Sequence, residues 1–250
     1  MKKFLCLFSA LSIVLMSSCS SDDSPSNSSD LVLLKKQVLT HSEGKLTINY
    51  KYDGNKIVSA IDDSGEVNLF YTYTGDQITQ IDFKLPNGTV EQVNTFTYSA
   101  DGKLSTFLRV ENETVNGTTV KVGYKEVYTY NANGTISVKS YTGNSTSQSA
   151  SSGTSTITLV NGDVSEIVST NSPNHKYAYD TQNNPAKNIL GMDKIAIVDG
   201  EGNGVFHNEI SDTVNGKLGD THTYSYNAAG YPQTSVDRED GETHTSEYFY

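Results

Sequence analysis

From Leu46 onward the chain alternates apolar and polar residues with a period of two. Leu46, Ile48, Tyr50 and Tyr52 share one side of an extended segment, while Thr47, Asn49 and Lys51 share the other. Val67, Leu69, Tyr71 and Tyr73 repeat the pattern, with Asn68 and Thr72 opposite. Val120, Val122, Tyr124, Tyr128 and Tyr130 repeat it again, with Glu126 as a polar exception on the apolar side. This period predicts half-buried β-strands, and no segment shows sustained helical periodicity.

The strands recur as a loose unit: an alternating strand ending in Tyr, a tight turn, then a second apolar strand. Tyr50 to Ile57, Tyr71 to Ile78, Phe96 to Leu104, Tyr128 to Ile136 and Tyr224 to Pro232 are the clear copies, and Leu159 to Val164 and Tyr177 to Pro185 are weaker ones. Gly in each turn of the clear copies allows the positive φ that hairpins require, and the aromatic and β-branched residues on either side favour pleated strands. Each copy therefore predicts a β-hairpin.

The gap before the last copy is longer than the others. It holds Asn188-Ile189-Leu190-Gly191-Met192-Asp193, which predicts a short helical turn or an irregular plug, followed by strands around Ile195–Val198 and Val205–Ile210. The Ser-, Thr- and Gly-rich run from Tyr141 to Thr156 predicts a long exposed hairpin loop. The fold expected from these patterns is all-β: an antiparallel up-and-down meander of many hairpins.

The chain begins differently. Lys2 and Lys3 precede an apolar stretch from Phe4 to Met16, then Ser17, Ser18 and Cys19, which is the order of a secretory signal. The apolar stretch is too short to cross a bilayer core of roughly 30 Å as a permanent helix. Small residues before a cysteine resemble a lipobox, which implies a signal peptide over residues 1–18 and acylation at Cys19. Each buried methylene of an acyl chain contributes about 0.8 kcal/mol, so two or three chains tether a protein firmly. Residues 19–30 read as a flexible polar linker and residues 31–250 as one β domain. Cys19-Ser20-Ser21-Asp22-Asp23 resembles the start of mature Bacteroidota lipoproteins exported to the outer face of the outer membrane; a periplasm-facing lipoprotein is the alternative. Cys6 leaves with the signal, so no disulfide can form within one mature chain. The precursor carries 18 basic and 29 acidic residues, and losing Lys2 and Lys3 sharpens the excess. Such a domain repels phosphate backbones and anionic lipid surfaces, which disfavours nucleic acid as a partner and leaves the acyl anchor as the expected membrane contact.

The Tyr-x-Tyr-turn-Gly-x-Ile/Leu unit is similar to the YD repeats of Rhs-type proteins. The whole arrangement, including Asn184-Pro185-Ala186-Lys187-Asn188 before an apolar turn, resembles a Bacteroidota lipoprotein family of unknown function with a porin-like fold. That resemblance implies a meander strongly curved or closed into a soluble porin-like barrel, with no established activity. Closure has a physical motive, because it removes the two exposed edges of an open sheet. A soluble barrel turns the Tyr and Ile face inward, whereas a transmembrane barrel turns it toward lipid.

Chemical signatures are sparse. No histidine spacing gathers metal ligands, no Gly-x-Ser-x-Gly elbow or phosphate-cradling loop is present, and nothing points to a cofactor or a catalytic residue. His222 and His244, in similar Thr-His-Thr settings, are expected to be exposed strand residues; the alternative is that they meet across neighbouring strands as a two-ligand patch. The acidic clusters Asp62-Asp63 and Asp237-Arg238-Glu239-Asp240-Gly241-Glu242 are expected to be solvated turns, although hard oxygen ligands in such loops also suit a calcium ion. Candidate ligand contacts are Tyr141, Asp237, Glu239 and Asp240, and Thr213 within Asp212-Thr213-Val214 resembles a short O-glycosylation motif. The function these features favour is a non-enzymatic binding scaffold for a glycan, peptide or envelope partner. Alternatives are a hydrolase whose carboxylates converge only in the fold, and a structural envelope protein.

Overall fold

The computed structural model describes residues 31–250 apart from positions 43, 116, 203 and 240. The signal segment, Cys19, the linker and Asp240 lie outside the described residues.

Sixteen strands follow one another along the chain. The first eight are β1 (Lys36–His41), β2 (Gly44–Asp53), β3 (Lys56–Asp62), β4 (Asn68–Thr74), β5 (Gln77–Lys84), β6 (Val90–Tyr98), β7 (Leu104–Val115) and β8 (Thr118–Tyr130). The remainder are β9 (Ile136–Asn144), β10 (Gln148–Val160), β11 (Asp163–Ser169), β12 (His175–Tyr179), β13 (Glu209–Val214), β14 (Lys217–Tyr226), β15 (Pro232–Glu239) and β16 (Glu242–Phe249). Each strand pairs antiparallel with its neighbours in sequence, and β1 pairs with β16, so the meander closes into a barrel without a free edge.

Turn chemistry explains the hairpins. Gly54 and Gly75, at φ of 60° and 59°, open two-residue turns in which the following residue keeps a negative φ, the signature of type II′. Asn161 and Gly162 both take positive φ, as type I′ requires. The longer copies close differently: the Gly102 amide donates to Ser99 O at 2.9 Å, Gly134 to Asn131 O at 3.0 Å and Gly230 to Asn227 O at 3.0 Å.

The Tyr face points into the barrel, where Ile48, Ile78, Ile81, Phe96 and Phe107 form the core with Tyr50, Tyr71, Tyr73 and Tyr98 packed against it. Simple alternation breaks just beyond most turns. The ladders of β2–β3, β4–β5, β6–β7 and β10–β11 each shift register near the end that carries the Tyr-ended turns. A bulge adds one residue, so the inward face advances by three positions there: Ile57 to Ala60, Ile78 to Ile81, Leu104 to Phe107 and Val164 to Ile167. In β9, whose ladder with β8 has no shift, Ile136 and Val138 keep the spacing of two.

The last Tyr of a copy reaches the residue just past the preceding turn. Tyr73 Oη accepts from the Ile57 amide at 3.2 Å, Tyr98 Oη donates to Ile78 O at 2.6 Å and Tyr179 Oη donates to Val164 O at 2.8 Å. A bulge frees backbone groups from the ladder, and these phenols satisfy them while stitching each copy to the one before.

Between β12 and β13, residues 180–208 fold back into the tyrosine end as a plug. The plug contains one short helix, α1 (Met192–Ile195), and buries Ile189, Ile195, Ala196 and Ile197. No strand forms at Ile195–Val198, and β13 starts only at Glu209, contrary to the pattern-based expectation. The apolar run fooled the strand reading because inside a barrel it is covered on every side and needs no ladder partner. The Tyr141–Thr156 run is also not a long loop: β9 and β10 run through it, leaving only 145–147 between them. From Lys139 to Thr156 no residue of these strands is fully buried, and Ser, Thr and Gly fill both faces, so no apolar stripe marked them.

Gly54 has open space where a Cβ would go, so any cost of Gly54→Ala comes from its positive φ alone. The substitution should destabilise the barrel by about 1–2 kcal/mol, read as a lowered urea midpoint with unchanged slope.

Candidate functional site

The plug is clamped from both ends of its segment. At its start, the Asn184 side chain accepts from the Ala186 amide at 2.8 Å, and Asn188 Nδ2 donates to Val32 O at 2.9 Å and to Tyr231 Oη at 2.7 Å. Leu190 N donates to Asn55 O at 3.0 Å, and its own carbonyl accepts from Tyr73 Oη at 2.9 Å. Gly191, at φ 78°, takes the left-handed backbone that favours glycine, and a Cβ there would come within 3.1 Å of Asp76 O, close enough that one of the two would have to shift. At the far end Asp163, 2% exposed, accepts from the amides of Val205 and Phe206 at 2.8 and 2.9 Å and faces His207 Nδ1 at 2.7 Å.

The plug tip reaches the middle of the barrel. Asp199 bonds Arg109, and its amide donates to Glu126 Oε2 at 2.9 Å, the same oxygen that takes the Tyr128 hydroxyl. Arg109 also lies over the Tyr124 ring, 4.7 Å from its centroid. Glu126, the polar exception on the Tyr side, is thus an acceptor for the plug. Burial pushes its carboxyl above the ordinary value of 4.5. Burial raises Asp199 too, against the pull of Arg109, and raises Glu201, assisted by the nearby Asp199.

Between plug and wall remains a cavity of about 470 Å³, within the range of small-molecule pockets. Its two sides differ. Strands β2 to β6 line it mainly with hydrocarbon from Ile48, Ala60, Leu69, Ile81, Phe83 and Phe96, together with the polar Asp62, Gln92 and Asn94, while β12 to β14 contribute His175, Tyr177, Glu209, Asp212, Asp220 and His222. His175 Nδ1 lies 2.7 Å from Asp212 Oδ2, and His222 Nδ1 lies 2.8 Å from Asp237 Oδ1. Ser235 Oγ donates to the other oxygen of Asp237 at 2.5 Å. His41 and His244 meet each other, Nδ1 to Nδ1 at 3.0 Å.

His222 is therefore not an exposed strand residue: its side chain is 7% exposed and bound to a carboxylate. Asp237, 3% exposed, is not part of a solvated turn either. His222 and His244 do converge, on opposite sides of Asp237, which pairs with each in register. Among the described residues no group of three or more His, Cys, Asp or Glu side chains could hold a metal ion. The signal for these histidines was present in the alternation. His175 precedes Tyr177 and Tyr179 by even steps, His222 precedes Tyr224 and Tyr226, and His244 precedes Tyr248 and Tyr250, which puts all three on the inward face.

Of the other candidates, Tyr141 pairs with Lys125 and Ser151, and Thr213 pairs with Lys176 and Leu218. Thr213 alternates with the inward Asp212 and so faces outward; Tyr141 likewise has the opposite parity to the buried Ile136 and Val138. Glu239 ends β15 opposite Glu242. Neither Tyr141 nor Thr213 joins the cavity lining.

A plugged, closed barrel of sixteen antiparallel strands with an internal cavity defines the class of this protein. The chain is similar in structure to a porin-like protein from Bacteroides vulgatus ATCC 8482, with a TM-score of 0.57 at 14% identity, over 88% of this chain and 98% of that one. A porin-like protein from Bacteroides uniformis ATCC 8492 also matches, at 14% identity over 86% of this chain and 97% of that chain, with a TM-score of 0.48. The first likeness establishes a shared porin-like fold. No protein-family description and no curated protein matches the chain.

Glu126, Asp199 and Glu201 hold protons more tightly in the folded protein than in the unfolded chain. Their contribution to stability is therefore present at low pH and lost as pH rises from the ordinary carboxylate value through the raised ones. The urea midpoint should fall through these groups as pH rises above the ordinary carboxylate range, and Glu126→Gln should flatten the profile. A variant profile as steep as the native one would show that Glu126 holds no such proton.

Proposed function

We propose that this chain is a water-soluble, lipid-tethered barrel that binds a small ligand in its internal cavity without transforming it. The cavity with its uneven lining carries the reading: mostly apolar along β2 to β6, where Asp62, Gln92 and Asn94 are the polar exceptions apart from tyrosine, and carboxylate- and histidine-rich along β12 to β14. Ligand sites commonly pair an apolar surface with a few placed polar groups.

Solubility is supported by the outer wall. Lys51, Lys139, Lys176 and Arg238 are exposed along the strands, and exposed apolar residues such as Val58, Phe70 and Leu218 are scattered among Thr, Ser and Asn. A lipid-facing wall needs an unbroken apolar band, and a Lys or Arg at the bilayer midplane costs about 2–4 kcal/mol. The tether is supported by the signal-like start and Cys19, and by the resemblance to Bacteroidota lipoproteins with YD-like repeats. Display on the outer face of the outer membrane fits the acidic residues that follow Cys19. The hydrolase alternative has less behind it, because the rings of His175, His207 and His222 each face a carboxylate and those of His41 and His244 face each other.

Two variants test the reading. Cys19→Ser should move the protein from the membrane pellet to the soluble fraction, and its continued sedimentation with membranes would refute the tether. Ala60→Phe should fill the cavity and abolish binding of the neutral dye prodan to the unlipidated protein while the fold persists by circular dichroism. Undiminished dye binding would place the ligand site elsewhere.

A further inference from the structure

We propose that the cavity takes a small amphipathic amine, with its ammonium group at Asp212 and its apolar body along the facing wall of β2 to β6. This rests on the cavity-binding reading above and deepens it.

Charge is the first support. Asp62, Glu201, Glu209, Asp212 and Asp220 line the cavity, and the arginine among them, Arg109, is already bound to Asp199 and lies 3.5 Å from Glu111. His175 and His222 face carboxylates as well. The lining therefore lacks positive charge for the carboxylates it holds, and a cation supplies it where field lines are confined by low-dielectric walls.

Asp212 is the second and independent support. The residue is 7% exposed, its Oδ2 is taken by His175 Nδ1, and its Oδ1 has no hydrogen-bond partner among the described residues. A buried carboxylate oxygen without a donor is a standing cost to the fold, which a donor brought by a ligand removes. An ammonium group satisfies it with a charge-assisted bond. Tyr177, stacked on His175 with ring centroids 5.7 Å apart, sets an aromatic face in the same wall, and aromatic faces attract ammonium groups.

The third support is the opposite wall. Leu69, Ile81, Phe83 and Phe96 offer hydrocarbon and no charge, so a fully polar cation such as a bare metal ion or a polyamine leaves them unused. An anion of the same shape would meet the carboxylates directly.

Calorimetry at pH 7 with full-length chain carrying Cys19→Ser, and so no lipid, separates the possibilities. Three probes share one tail: n-octylamine, n-octyl β-glucoside and octanoate. The amine, protonated at this pH as lysine is, should bind roughly tenfold or more tighter than the glucoside, with octanoate weakest. Asp212→Asn should bring the amine to within about threefold of the glucoside and leave the glucoside unchanged. Asp220→Asn, which spares the His175 contact, should weaken the amine by about threefold and covers the case in which the first variant fails to fold. Equal binding of all three probes, or tightest binding of octanoate, overturns the amine assignment while the cavity reading stands. Failure of prodan and all three probes to bind overturns the cavity reading itself.

Discussion

The number of strands sets the problem that the rest of the molecule solves. About eight strands make a barrel just wide enough for its own side chains to fill, and sixteen leave a lumen. Closing β1 on β16 removes both sheet edges, but it creates an interior that inward-facing Tyr and Ile cannot span by themselves. Residues 180–208 answer this by returning into the barrel, where Ile189, Ile195 and Ile197 are covered by the wall. The segment is smaller than the space, and the remainder is the cavity.

Tyrosine is the residue that makes this geometry work. Its ring supplies apolar contact to a core without Trp, and its hydroxyl reaches the backbone freed by the bulge of the preceding copy. Burial pushes the Tyr73 phenol up to about 12, so it stays protonated as the donor to Leu190 O. The same side chains that join the repeats therefore also hold the plug. This accounts for the Tyr-ended turns without assigning each ring a ligand.

Polarity is arranged in the reverse of a membrane channel. The apolar stripe faces inward and the Thr-, Ser- and Lys-rich stripe faces outward, although the fold is shared with a porin-like protein. Fold by itself carries no activity, and the chemistry resides in what fills the interior. Here the interior holds histidine–carboxylate pairs on one side, mainly hydrocarbon on the other, and an arginine that joins the plug to the wall through Asp199.

The class of fold was legible in the chain, because a period of two and Gly-bearing turns are local properties that act before any tertiary contact forms. That Tyr50, Tyr71 and Tyr128 share a face with the apolar residues of their strands follows from the same period, and so, read fully, does the placing of His175, His222 and His244 on that face. Bulges were half visible in the step from Ile78 to Ile81. The closing pair of β1 with β16, which makes the Tyr face the inside, the turning-in of Ile195 to Val198 and the meeting of Asp212 with His175 were decided by the tertiary structure. Each brings together residues distant in sequence, and the burial that makes a carboxylate hold a histidine exists only once a wall and a plug enclose it.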